Sequence, residues 1–392
     1  MIVKPKVRGF ICTTAHAEGC KASVKAQIDY VKAQPHSERG PKKVLVVGAS
    51  MGYGLASRIS AAYSYGAATL GVIFDRAASG SRTATSGWYN TAAFEEFAAA
   101  DGLYAKTING DAYSKEIKEK TIELIKKDMG KVDCVIYSLA APRRTMEDGT
   151  VYTSVLKTVG ESYTNKTINL KDNTVSNITV EPATEEEIEA TVRVMGGDDW
   201  KLWIEALKAA DAIEDDAVTV AYSYIGPEIT HPMYADGSIG KAKDDLFAAS
   251  KEITEKGIRA YISVNKALVT QSSAAIPIVP LYISILYKVM KAHNVHEGCI
   301  EQMCRMFNEK IFCGETKTDD TGRIRMDDLE MQDEIQTEVN KLWSEISSDN
   351  LDTHADLEGY HQDFYRLFGF GIDGVDYDAD IDPDVRIPSL EQ

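Results

Sequence analysis

The chain is short of positive charge: 43 Lys and Arg residues stand against 60 Asp and Glu, for a formal net charge of −17. Such a surface repels nucleic-acid phosphates and anionic membranes, so neither is expected as a partner, and an anionic ligand would need a local basic pocket. Long apolar runs are also missing. The most apolar window, residues 274–287, is too short to span a bilayer and is interrupted by Pro277 and Pro280. It reads as core or as the wall of an apolar pocket. The N-terminus lacks the apolar stretch of a signal peptide. The cysteines (Cys12, Cys20, Cys134, Cys299, Cys304, Cys313) form no C-x-x-C pair, and the seven scattered histidines, His231, His293 and His296 among them, do not complete a metal-binding set. Reduced thiols and no bound metal are expected. There is no internal repeat and no low-complexity block.

What is present is enough for a large core: 392 residues, 44% of them hydrophobic. The clearest local signal is a buried-type strand, residues 44–47, running into Gly48-Ala49-Ser50-Met51-Gly52-Tyr53-Gly54 and a helix over 55–62. Glycines there let the backbone turn tightly and approach a pyrophosphate, whose charge meets a helix N-terminus. The G-x-x-x-G-x-G spacing is weak by itself, but a second strand over 68–74 ends in Asp75, 21 residues beyond Gly54. An acid at that point accepts hydrogen bonds from ribose hydroxyls and repels a 2'-phosphate, so NADH is the expected cofactor, while the adjacent Arg76 leaves NADPH possible.

Helices over 92–100 and 114–128 alternate with strands over 104–108 and 132–137, which implies a parallel sheet with right-handed crossovers. Ligands of such sheets lie beyond the C-terminal strand ends, near Asp75, Asp111 and the run 138–141. Asp111 reads equally as an adenine contact and as a helix cap. The alternation breaks over 148–180, a β-hairpin excursion, and resumes with a helix capped by Thr184 and Glu187. The expected fold is α/β: a Rossmann-type doubly wound parallel sheet in one elaborated domain spanning 1–392. Its core is 42–270, and 271–392 supplies substrate-pocket and C-terminal helices. The terminal stretch 376–384 is acidic and reads as a solvated segment.

The chemistry is expected beyond a strand over 217–222. Tyr224, Tyr234, Lys241 and Lys243 offer two phenols and two ammonium groups. A phenol, with a pKa of about 10, stays protonated at neutral pH and donates to an oxygen that gains negative charge. A lysine cation strengthens that donor and can hold cofactor hydroxyls or phosphates. Tyr234 and Lys243 are nine positions apart, which at about 100° per residue puts them on opposite faces of an unbroken helix. Tyr234 is therefore placed on a loop and Lys243 in the first turns of a helix to about residue 255.

With Gly48 to Gly54, Tyr222-Ser-Tyr-Ile-Gly-Pro227, the eight residues between Tyr234 and Lys243, Val194-Met-Gly-Gly-Asp-Asp-Trp200 and His296-Glu-Gly-Cys-Ile-Glu301 in hand, the chain resembles the trans-2-enoyl-CoA reductases. That family is close to the V-type enoyl-ACP reductases. The likeness runs from Val3 through Tyr377, and its two ends look most like euglenoid mitochondrial enzymes. It implies NADH-dependent reduction of trans-2-enoyl-CoA to saturated acyl-CoA in fatty acid synthesis, in a mitochondrial matrix as a mature chain or in a bacterial cytoplasm. It makes Tyr234, Tyr224 and Lys243 the catalytic residues: Tyr234 the proton donor, Tyr224 a substrate contact that assists Tyr234 in stabilising the enolate oxygen, and Lys243 a cofactor contact. Gly48, Ala49, Ser50, Met51, Gly52, Tyr53, Phe74, Asp75, Asp111, Ala112, Leu139, Ala140, Leu268, Val269 and Thr270 match cofactor contacts. The apolar window, with Ile276 and Pro277, becomes the acyl pocket.

Two other readings remain open: a short-chain-type carbonyl reductase on the same scaffold, and a non-catalytic dinucleotide sensor whose tyrosines only pack. Monomer and homodimer are both compatible with the sequence.

Overall fold

The computed structural model describes residues 1–8, 11–271 and 273–391. Seven strands form one parallel sheet: β1 (Lys43–Val47), β2 (Ala68–Ile73), β3 (Ala105–Asn109), β4 (Val132–Tyr137), β5 (Ile213–Ser223), β6 (Arg259–Val264) and β7 (Ile324–Arg325). Their order across the sheet is β7-β6-β5-β4-β1-β2-β3, with every pairing parallel. The order reverses between β1 and β4, which opens a crevice beyond the C-terminal strand ends.

The continuous apolar run of β1 is explained by burial on both faces. Val44 and Val46 join the core under α1 (Ala17–Ala33), α2 (Gly52–Tyr65) and α3 (Ser86–Ala100). Leu45 and Val47 face α4 (Lys115–Asp128) and, across the sheet, α6 (Asp198–Ala209) and α7 (Ser238–Glu255). All four side chains are fully buried, each worth about 1.5–3 kcal/mol relative to exposure. The intervening α5 (Glu185–Met195) starts at the expected capping box of Thr184 and Glu187.

A third apolar cluster sits over the crevice. It is built on α8 (Val279–Ala292) and includes residues 335–346 and 351–370. Pro280 lies in the first turn of α8, where a missing N–H costs nothing. The apolar window is thus a buried helix that begins inside it.

Several expectations need correction. The sheet extends beyond 42–270, because β7 joins β6 through Ser263 and Val264; two residues are too short a run to read from sequence. The stretch 143–180 holds two hairpins, Arg143–Thr145 with Val151–Thr153 and Tyr163–Asn169 with Thr174–Val180, where one was expected over 148–180. The acidic stretch 376–384 lies at the surface as expected, with its aspartates exposed, and is also anchored there: Lys4 pairs with Asp378 at 2.6 Å and the Tyr89 hydroxyl donates to the Pro383 carbonyl at 2.7 Å. Among the described residues no helix is long and apolar enough to cross a membrane.

Candidate active site

Beyond the ends of β5 and β6 lies a cavity of about 180 Å³, lined among others by Tyr224, Tyr234, Lys243, Asn265, Lys266 and Leu268. Local structure brings these together. After β5 the chain makes a single turn, His231–Met233, that Tyr234 closes, and α7 then begins at Ser238. Ser238 is fixed by exchanging backbone and hydroxyl hydrogen bonds with the segment 155–157. Lys243 thus sits in the second turn of α7, and the break before Ser238 lets it share a cavity with Tyr234.

The two phenols are not equivalent. Their rings meet edge to face with centroids 4.6 Å apart. The Tyr224 hydroxyl donates to Glu330 Oε1 at 3.1 Å. Among the described residues the Tyr234 hydroxyl has no hydrogen-bond partner. Burial, followed by the nearby Glu330 carboxyl, pushes the Tyr234 pKa upward, so its hydrogen is retained at any physiological pH. Lys243 donates to the Tyr222 carbonyl at 3.1 Å, and burial pushes its pKa down to about 8.

Sequence reasoning missed three groups here. Glu330, fully buried, accepts from the Tyr282 hydroxyl at 2.7 Å and the Ala267 N–H at 2.8 Å as well as from Tyr224. Lys266, 3% exposed, donates to the Ala267 carbonyl at 2.9 Å and lies over the Tyr287 ring. Asn265 is buried, and among the described residues its amide nitrogen has no partner. Asn265 and Lys266 directly follow a strand end, where position alone could have flagged them. Glu330 carried no signal, because it reads as one more acid in an acidic stretch.

The expected dinucleotide residues surround the crevice. Gly48 has φ 83°, and a Cβ built there would stand 2.3 Å from the Ser138 carbonyl oxygen; one on Gly54 would stand 1.9 Å from the Gly48 oxygen. Both positions therefore require glycine. Met51, the N-cap of α2, supplies no side-chain hydrogen bond, so among the described residues no cap competes with an anion for the first N–H groups of that helix. Asp75 accepts from the Thr85 hydroxyl at 2.7 Å, and a Cβ on Gly87 would meet both Asp75 Oδ1 and Ser50 Oγ within 2.7 Å, which puts the acid beside the glycine turn. Phe74 is 79% exposed next to it. Leu139 and Ala140 follow β4. Leu268 and Val269 line a second cavity of about 310 Å³ with Met51 and Gly52, while Thr270 lines the first. The orphan amide of Asn265 together with this cradle fits a dinucleotide that ends in a carboxamide.

Asp111 accepts from the Tyr113 N–H at 3.0 Å and opens on a separate groove; Ser114, and not Asp111, caps α4. Ala112 beside it is buried. Ile276 and Pro277 stand outside the lining of the first cavity. Val279 and Ile283, one turn apart on α8, form its apolar wall. Among the described residues no group of three or more His, Cys, Asp or Glu side chains is placed to hold a metal ion.

Comparison with known proteins gives this geometry its context. Residues 82–312 match the family described as "Trans-2-enoyl-CoA reductase catalytic region", and residues 2–80 match "NAD(P)H binding domain of trans-2-enoyl-CoA reductase". The chain belongs to the trans-2-enoyl-CoA reductase family. A "Trans-2-enoyl-CoA reductase [NADH]" of Ruminiclostridium cellulolyticum is 58% identical over 100% of both chains. An "Enoyl-[acyl-carrier-protein] reductase [NADH]" of Coxiella burnetii is 55% identical over 100% of this chain and 98% of its own. The crystal structure of the Clostridium acetobutulicum trans-2-enoyl-CoA reductase in complex with NADH superposes with a TM-score of 0.95 at 48% identity, covering 100% of both chains. That of the Treponema denticola enzyme in complex with NAD gives 0.94 at 46% identity, covering 99% of this chain and 100% of its own.

This trans-2-enoyl-CoA reductase family member is therefore an oxidoreductase on a Rossmann-type sheet. The relatives reported are bacterial, and none is euglenoid or mitochondrial. Residues 318–381 also match a model named "Enoyl reductase FAD binding domain". What that stretch brings to the reductase site is Glu330, together with Asp363 and Arg366 at the second cavity.

Proposed function

We propose that the chain reduces trans-2-enoyl-CoA thioesters to saturated acyl-CoA with NADH, as a step of fatty acid synthesis in a bacterial cytoplasm. The observation that carries this is the Tyr234 hydroxyl, without a partner among the described residues and facing a cavity it shares with Lys243, residues 265–268 and Thr270.

Gly48 to Tyr53, Asp75 and Leu268 to Thr270 hold the cofactor, with the pyrophosphate at the α2 N-terminus and the ribose at Asp75. When bound, NADH supplies the hydride that adds to Cβ of the substrate. Negative charge then gathers on the thioester oxygen, and Tyr234 donates its hydrogen bond there. Such a preorganised donor is worth about 3 kcal/mol, roughly a hundredfold in rate. Lys243 keeps a cation beside the phenol and holds cofactor hydroxyls. Tyr224 packs against Tyr234 and fixes the substrate side of the cavity, while Val279 and Ile283 receive the acyl chain. Cα is then protonated, with Tyr234 as the donor. The acidic surface favours a free CoA thioester over one carried on an acidic protein.

The test follows NADH oxidation with crotonyl-CoA and with acetoacetyl-CoA. Turnover of the first and not the second supports the proposal. The opposite preference makes the chain a carbonyl reductase, and cofactor binding without turnover of either makes it a sensor. Repeating the assay with longer enoyl-CoAs reads the depth of the wall built by α8.

A further inference from the structure

Glu330 is buried where the mechanism above gives it no task. Three donors converge on it from three different walls of the cavity: Tyr224 from the end of β5, Tyr282 from α8 and the Ala267 N–H from the run after β6. Tyr282 and Tyr224 share one oxygen, Oε1, and the Tyr224 contact is the longer, 3.1 Å against 2.7 Å. Tyr224 is thus the more weakly held partner, and it is also the one that borders the substrate side.

Resting on the reading of the site given above, we propose that Glu330 is a positioning residue that sets the direction of the Tyr224 hydrogen. When ionised, the carboxylate holds that hydrogen; when protonated, Glu330 donates to the Tyr224 oxygen and leaves the hydrogen free for the thioester oxygen. Tyr282 and Ala267 go on donating in both states, so of the three partners of Glu330 only Tyr224 changes role.

The surroundings make the neutral form accessible. The groups facing Glu330 are Lys266 in the 265–270 run, Asp327 on its own segment, and the phenols of Tyr53, Tyr224, Tyr234 and Tyr282. Among the described residues Lys266 makes no ion-pair contact within 4 Å, and Asp327 is already paired with Arg325 at 2.7 Å. No cation therefore neutralises Glu330 by contact. Burial raises its pKa, opposed by the more distant Lys266. The neutral form then persists to higher pH than it does for an exposed glutamate, and the free Tyr224 hydrogen is lost as pH rises through the Glu330 pKa.

The experiment measures kcat/KM for crotonyl-CoA from acid to neutral pH, with NADH saturating at each point, for the wild type, Glu330→Gln and Tyr224→Phe. The wild type is expected to fall as pH rises through the Glu330 ionisation. The fall is absent in Glu330→Gln, whose amide cannot ionise, and in Tyr224→Phe, which has no hydrogen to redirect. A purely structural Glu330 would leave the fall in place in Tyr224→Phe, and that result, or an unchanged profile in Glu330→Gln, overturns the proposal. Should Glu330→Gln fail to fold, Tyr224→Phe decides alone.

Infrared titration of the unliganded protein gives a reading independent of turnover. The C=O stretch of a protonated buried carboxyl is expected in the wild type and missing in Glu330→Gln. Its midpoint moves to higher pH in Tyr224→Phe, because the ionised form loses a donor. No such band in the wild type overturns the proposal. A wild type that reduces no enoyl thioester overturns the functional reading instead, and the band still decides the state of Glu330.

Discussion

Tyr224 and Tyr234 meet edge to face, with ring planes at 77°, yet while Tyr224 donates to Glu330 it is the Tyr234 hydroxyl that, among the described residues, has no partner and can serve a ligand. Packing one phenol against the other fixes the orientation of both rings, and the hydrogen bond from Tyr224 to Glu330 then leaves Tyr234 as the ready donor. Two similar side chains acquire different tasks from their neighbours.

Lys243 sets a pH limit on cofactor affinity. Burial lowers its pKa to about 8, so the ammonium is charged below that value and neutral above it. The KM for NADH is expected to rise about tenfold as pH climbs through 8, the worth of one charge-assisted hydrogen bond. Lys243→Arg, whose side chain stays charged, flattens this dependence in initial-rate measurements across the same range.

Asp75 governs the choice of cofactor. Its carboxylate accepts from Thr85 and lies beside the glycine turn. Asp75→Asn removes the charge that repels a 2'-phosphate while keeping an acceptor for Thr85. The ratio of kcat/KM for NADPH to that for NADH should rise roughly tenfold, equivalent to about 1.4 kcal/mol. An unchanged ratio in parallel assays would place cofactor discrimination elsewhere.

Gly54 is held by sterics. A Cβ there would stand 1.9 Å from the Gly48 oxygen, a backbone atom that cannot move without opening the turn. Gly54→Ala is expected to destabilise the fold by about 1–3 kcal/mol, read as a lower denaturation midpoint in urea, and to weaken NADH binding in fluorescence titration.

The sheet was legible because β1, β2 and β4 are short, largely buried apolar runs, the first two each followed by a helix. The irregular placement of Tyr234 could be read from helical geometry alone, since nine steps cannot align with one face. What could not be read depended on long-range contacts. β7 is two residues long and is a strand only because β6 lies beside it. The first half of α3, Ser86 to Thr91, has weak helix formers and is helical because it packs on the crevice. Glu330 is invisible for the same reason: an acid in an acidic stretch becomes part of the site only when folding brings it 106 positions back along the chain to Tyr224.

The most direct test of the account is Tyr234→Phe in steady-state reduction of crotonyl-CoA by NADH. Loss of a donor that acts on developing charge should lower kcat about a hundredfold and leave KM within about twofold. A kcat close to wild type, or a loss carried entirely by KM, would contradict it.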